Sequence, residues 1–134
     1  MADVNRGNRP LSPFMIGPYY RPQITSISSI MVRITAIASY GVVVLAIIWL
    51  LAAATSDAAF GFVDGVLRSW FGDLLLFLFS WALWYHMLGR LRHVIWDFGY
   101  CLDLEISKKM GWGMFIGATV LAVLTAIIMA MGSA

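Results

Sequence analysis

The sequence predicts an all-α membrane protein with three transmembrane helices, and three observations carry that expectation. Hydrophobic residues make up 61% of the 134 residues and charged residues only 12%, where ordinary soluble domains carry roughly 25% charge, so polar groups are too few to cover an apolar core in water. Three apolar runs each approach the roughly 20 residues that cross about 30 Å of hydrocarbon as helix. Pro10, Pro13, Pro18 and Pro22 all lie ahead of those runs.

Residues 1–25 are read as an extended arm, because each proline lacks an amide donor and clashes with the preceding turn. Arg6, Arg9 and Arg21 are followed by prolines and tyrosines rather than by an apolar stretch, so the arm is not a secretory signal. The remaining residues, 26–134, form the membrane domain, with spans expected over about 30–54, 69–97 and 111–132. The first is free of charge from Ile34 to Ala54, reaches back as helix to about Ser26, and stops at Thr55, Ser56 and Asp57. The second starts near Ser69 and is uncharged from Leu74 to Gly89, after which Arg90, Arg92 and Asp97 carry helix out of the bilayer. The third, from Gly111 to Met131, has no charge, and its Gly113, Gly117, Ala118, Ala122, Ala126 and Ala130 form a small-residue stripe for close helix packing. Residues 102–109 are expected to be a polar loop, and Trp49, Trp70, Trp96 and Trp112 to sit at span ends as interface anchors.

A formal charge of +2 without a basic run argues against nucleic acid as a partner. The single cysteine, Cys101, excludes an internal disulfide and a thiolate-ligated cluster made by this chain alone, so any metal chemistry rests on histidine. Arg6, Arg9, Arg21, Arg33, Arg90, Arg92, Lys108 and Lys109 fall on one side of the three spans and Arg68 on the other. The positive-inside rule therefore puts the N-terminus in the cytoplasm and the C-terminus across the membrane.

Ionisable residues in spanning helices are costly and are functional candidates by default. His86 lies within the second span, and Arg90, His93 and Asp97 follow at offsets of four, seven and eleven on the same helical face. An imidazole in the apolar layer with Arg or His where water begins suits a haem and its propionates. A hydrogen-bonded core histidine with a snorkelling interfacial face fits the same pattern. His86 and His93 stand about 10 Å apart along one helix, whereas two nitrogens on opposite sides of one iron are roughly 4 Å apart. If two histidines hold a haem, one must come from another chain. At the start of the first span Ser26, Ser29 and Arg33 share a face, where a hydroxyl and a guanidinium can hold a carbonyl oxygen as it gains charge. Serine capping and a topogenic arginine are the plainer reading.

Arg9-Pro10-Leu11-Ser12-Pro13, Ser29-Ile30-Met31-Val32-Arg33-Ile34-Thr35, and the stretch from His86 through Arg92-His93-Val94-Ile95-Trp96-Asp97-Phe98-Gly99-Tyr100 resemble the cytochrome b556 subunits of succinate dehydrogenase over nearly the whole chain. The resemblance implies a bacterial inner-membrane anchor of respiratory complex II, packed with a second three-helix anchor and carrying iron-sulfur and flavoprotein subunits. It further implies that His86 is an axial ligand of haem b iron, the second imidazole coming from the other anchor. Ser29, Ile30 and Arg33 would line the ubiquinone site, and Arg33, Arg90 and His93 are candidates for the haem propionates. The chain would not be an enzyme alone.

The sequence departs from the family pattern at four places. Val32 stands for a histidine, Ala36 for a glycine, Arg90 for a small residue, and Phe14 for a histidine common in the arm. Arg90 is expected to take over propionate pairing. The alternatives are a haem-free or fumarate-reductase-type quinone anchor, and a purely structural assembly subunit.

Overall fold

The computed structural model describes residues 12–132. A short 3-10 turn at Pro13–Met15 precedes four helices, α1 Ile24–Thr55, α2 Asp57–Leu67, α3 Trp70–Asp97 and α4 Leu104–Gly132. Three of them, α1, α3 and α4, are long and apolar enough to cross a membrane. They run up, down and up, with α3 packed against both α1 and α4.

Arg6, Arg9, Pro10 and Leu11 of the expected arm lie outside the described residues. From Ser12 onward the arm is turned rather than extended. Pro13 opens the 3-10 turn, the Ser12 hydroxyl oxygen accepts from the Phe14 amide at 3.3 Å, and Gly17 reverses the chain at φ +105°. Proline ends a long helix but favours a tight turn at its first position. α1 then begins at Ile24, two residues before Ser26, and Gln23 at its N-cap makes no side-chain capping bond. Serine capping therefore does not start this helix.

The connection after α1, which the sequence leaves as the stretch between the first two spans, is itself a helix. Ser56 closes α1 and opens α2, its hydroxyl oxygen accepting from the Ala59 amide at 3.2 Å. Asp57 lies in the first turn, where a carboxylate meets the positive end of the helix dipole, and Arg68 pairs with Asp64 one turn back at 2.7 Å. Ser69 caps α3 in the same way as Ser56 caps α2, accepting from the Gly72 amide at 3.3 Å.

α4 likewise starts earlier than its apolar run. Leu104 to Lys109, expected as loop, form its first turns, with Glu105 near the helix start and paired to Lys108 at 2.8 Å. Propensity and charge carry a helix beyond the hydrocarbon, so apolar run length marks the span rather than the helix. The true connection is residues 98–103, turned by Gly99 at φ +79° and Cys101 at φ +59°.

The core is Val32 of α1, Tyr85 of α3 and Met114 and Ala118 of α4, with Trp81, Trp84, Leu88 and Phe115 packed around it. Tyr85 lies between Trp81, stacked at 5.1 Å, and Phe115 at 4.8 Å. On α4 the buried stripe is Gly111, Met114, Ala118 and Ala122, whereas Gly113 faces open space and Ala126 is exposed. Two indole donors tie α3 to α4, Trp81 to the Thr119 hydroxyl at 3.1 Å and Trp84 to that of Thr125 at 3.0 Å. Outward faces carry exposed Ile37, Leu51, Val120 and Ile128, as expected of helices whose solvent is lipid.

Candidate functional site

The candidate residues gather where α1 begins, α3 ends and α4 begins. Close approach there depends on glycine. A side chain at Gly89 would run into Val32 and stand 3.2 Å from the Met114 methyl, and one at Gly111 would meet Ile24 at 3.3 Å and the Ser28 hydroxyl at 3.5 Å. These contacts bring α3 near enough to α1 for its side chains to reach α1 backbone.

His86 does so. Its Nδ1 lies 3.1 Å from the Val32 carbonyl oxygen, on a half-buried ring. A carbonyl only accepts, so this contact selects the tautomer with the proton on Nδ1 and leaves the lone pair on Nε2. Among the described residues Nε2 has no hydrogen-bond partner. The Val32 oxygen also accepts from the Thr35 hydroxyl at 3.1 Å, while the Val32 side chain fills the α1–α3 contact.

On α1, Ser29 is half-buried and Ile30 and Arg33 are exposed, one face around from buried Ser28 and Val32. Neither the Ser29 hydroxyl nor the Arg33 guanidinium is committed to a hydrogen bond or ion pair among the described residues. On α3, Arg90 is exposed, and His93 is half-buried with its ring edge-on to Trp96 at 5.4 Å. Arg90 and His93 share a helical face with His86, but the structure makes no direct bond among the three. No group of three His, Cys, Asp or Glu side chains that could hold a metal ion occurs among the described residues. A metal here would rest on a single imidazole from this chain.

Sequence comparisons fit this geometry. Residues 5–126 match the family model described as "Succinate dehydrogenase/Fumarate reductase transmembrane subunit". The chain belongs to that family. It is 50% identical over 128 residues to the succinate dehydrogenase cytochrome b556 subunit of Paracoccus denitrificans, covering 96% of this chain and 97% of the relative. It is 33% identical over 125 residues to the cytochrome b560 subunit of Marchantia polymorpha, covering 90% of each. Against the cytochrome b556 subunit of Rickettsia conorii the identity is 29% over 116 residues, or 87% of this chain and 89% of the relative.

For this succinate dehydrogenase transmembrane subunit, three residues of the site escaped the reading of the sequence. Arg92 is only 2% exposed, donates from Nη1 to the Ser28 hydroxyl at 3.0 Å, and stacks over Trp96 at 4.6 Å. The Tyr85 hydroxyl donates to the Ser28 carbonyl at 3.3 Å. Ser28 itself is fully buried. A signal existed: Tyr85, Gly89 and Arg92 recur at offsets of four and three, which puts the arginine on the face that the glycine opens to a neighbouring helix. Trp49 and Trp96, expected only as interface anchors, also make bonds, to Asp64 at 3.4 Å and to the Cys101 carbonyl at 3.2 Å.

Proposed function

We propose that this membrane anchor binds one haem b together with a second anchor subunit and forms part of the site where succinate dehydrogenase reduces ubiquinone. The observation that carries the reading is the His86 Nδ1 contact to the Val32 carbonyl. Metal-ligating histidines characteristically donate their other ring nitrogen in this way, which fixes the ring and raises the basicity of the free nitrogen. The curated relatives are named cytochromes, which supports the same reading.

In this reading His86 offers Nε2 to the haem iron, and Arg90 and His93, toward the end of α3, offer donors to the propionate carboxylates. The haem supplies a one-electron redox centre. Were two imidazoles to hold the haem, the second would come from the partner anchor, because His86 and His93 are too far apart along α3 to share one iron. The iron-sulfur and flavoprotein subunits dock on the cytoplasmic side, where the N-terminus and the connection between α3 and α4 lie under the positive-inside rule.

Reduction of a quinone to a quinol takes two electrons and two protons, and negative charge develops on the carbonyl oxygens before protonation. The uncommitted Ser29 hydroxyl donates to one such oxygen, and the Arg33 guanidinium stabilises the developing charge without giving up a proton. Ile30, exposed on the adjoining turn, offers apolar contact to the ring and its substituents. The electrons come from the iron-sulfur subunit.

The test is a complex purified through this subunit, with a pyridine haemochrome assay and a reduced-minus-oxidised spectrum. One b haem per complex, lost in His86→Leu, is the expected result; a haem-free wild-type complex points instead to a haem-free quinone anchor. Ser29→Ala and Arg33→Gln are expected to slow succinate–quinone turnover by at least about tenfold. Quinone kinetics unchanged in both would leave this chain a structural anchor.

A further inference from the structure

Arg92 is the buried charged residue of the described chain, and packing does not account for it. No carboxylate is paired with it among the described residues, and its Nε has no hydrogen-bond partner. A buried cation without a counter-ion costs stability, and an apolar side chain of similar volume would fill the space more favourably. What Arg92 does make is specific: the 3.0 Å bond to the Ser28 hydroxyl and the stack on Trp96.

Ser28 is the point where α1 is gripped. Its hydroxyl accepts from Arg92 and donates to the Thr25 carbonyl at 3.0 Å, its own carbonyl accepts from Tyr85, and α4 backs it at Gly111. Tyr85 and Arg92 are seven residues apart on one face of α3, so both converge on one residue of α1. The grip is needed because α1 begins without a side-chain cap, behind a turned arm, and lateral contacts must fix how its first turns are rotated. Ser29 is the next residue, and Arg33 follows one turn later.

We propose that Arg92 is a positioning residue for quinone reduction: through Ser28 it sets the rotation and height of the α1 segment that presents Ser29 and Arg33. This rests on the quinone reading of those two residues. Arg92 does not touch the quinone, and its effect travels through the Ser28 hydroxyl rather than through its charge.

The test compares Ser28→Ala, Arg92→Gln, the double variant, and Ser29→Ala and Arg33→Gln as references, all in the assembled complex. KM and kcat are measured with a short-chain ubiquinone, with rates normalised to succinate turnover by an artificial dye. Ser28→Ala keeps the guanidinium and loses the bond to it, together with the local bond from the hydroxyl to the Thr25 carbonyl within α1. It is expected to raise KM about fivefold, with kcat much less affected, and the double variant is expected to match Arg92→Gln because both remove one interaction. A purely structural role would lower the amount of complex and leave KM alone. Wild-type KM in Ser28→Ala, with KM or kcat impaired in Ser29→Ala and Arg33→Gln, overturns the proposal while leaving the quinone site in place. Unchanged kinetics in the two reference variants removes the quinone reading and this inference with it. Should Arg92→Gln fail to assemble, the Ser28→Ala result decides alone.

Discussion

At the end of the bundle where α1 begins, Arg92 is enclosed by three helices and held by a neutral hydroxyl and an indole face. At the other end Arg68 is exposed and held by a carboxylate, Asp64, one turn back on its own helix. Arg68 is thus paired with a carboxylate where water is available, and Arg92 is paired with none where it is not. The difference reflects what each end has to do. Around Arg68, serine hydroxyls cap α2 and α3, a local ion pair closes α2, and Trp49 of α1 meets Asp64 and Phe60 of α2 through its side chain. Around Arg92, side chains of α3 reach the backbone of α1 at Ser28 and Val32, and specificity of placement is obtained at the expense of stability.

The largest test of that contrast is Tyr85→Ala. Tyr85 is fully buried, stacks on Trp81, touches Phe115 and bonds the Ser28 carbonyl, so its removal opens a cavity at the junction of three helices. By analogy with other large aromatic truncations, a loss of about 3–5 kcal/mol is expected, read as a lower thermal midpoint of the purified complex. A loss no greater than that of a surface substitution would mean that the partner anchor, rather than this chain's own core, holds α1 to α3.

A smaller effect is expected along the α3–α4 seam, away from both arginines. Trp84→Phe keeps most of the ring and loses the 3.0 Å bond to Thr125. Interhelical hydrogen bonds in membranes average about 0.6 kcal/mol, because the alternative state also finds partners. The Thr125 hydroxyl continues to donate to the Leu121 carbonyl at 2.8 Å, so no donor is orphaned by the change. A drop in thermal midpoint matching that of Tyr85→Ala would show that the seam is as dependent on exact partners as the Ser28 junction.

The two ends were also unequally legible in sequence. Three spans and the face of His86, Arg90 and His93 follow from run length and helical period, which need only one chain segment at a time. α2 was missed although Ser56-Asp57 is an N-cap signal and Asp64 and Arg68 are correctly spaced, because the same Ser-Asp pair marks the end of α1. The apolar run of α4 hid the turns from Leu104 to Lys109 for a related reason: a span begins at the hydrocarbon and a helix begins at its cap. Arg92 posed a different problem. On its own helix it is one of two nearby arginines, Arg90 and Arg92, and only the placement of Ser28 against α3 makes one buried and leaves the other exposed. The role of Val32 was hidden in the same way, since it bonds His86 through its backbone, which every residue possesses.

The smallest expected effect completes the comparison at the Arg68 end. The hydrogen bond from Arg68 holds the Asp64 carboxyl below its ordinary 3.8, with the Trp49 indole a lesser contributor in the same direction. A depressed carboxylate adds stability above its unfolded value and loses it as pH falls through the folded one. Between about pH 8 and about pH 5, therefore, both pairing and stability at this end should stay constant, and any loss should begin only in more acid solution. Asp64→Asn removes the charge at every pH, and because the pair is exposed and screened by salt, the thermal midpoint at neutral pH should move very little. The indole of Trp49 keeps an amide oxygen to bond, so α2 should stay seated on α1. A large shift in Asp64→Asn, or a stability loss already complete at about pH 5, would show that this end depends on its charges as closely as the other end depends on Ser28, and would remove the contrast between them.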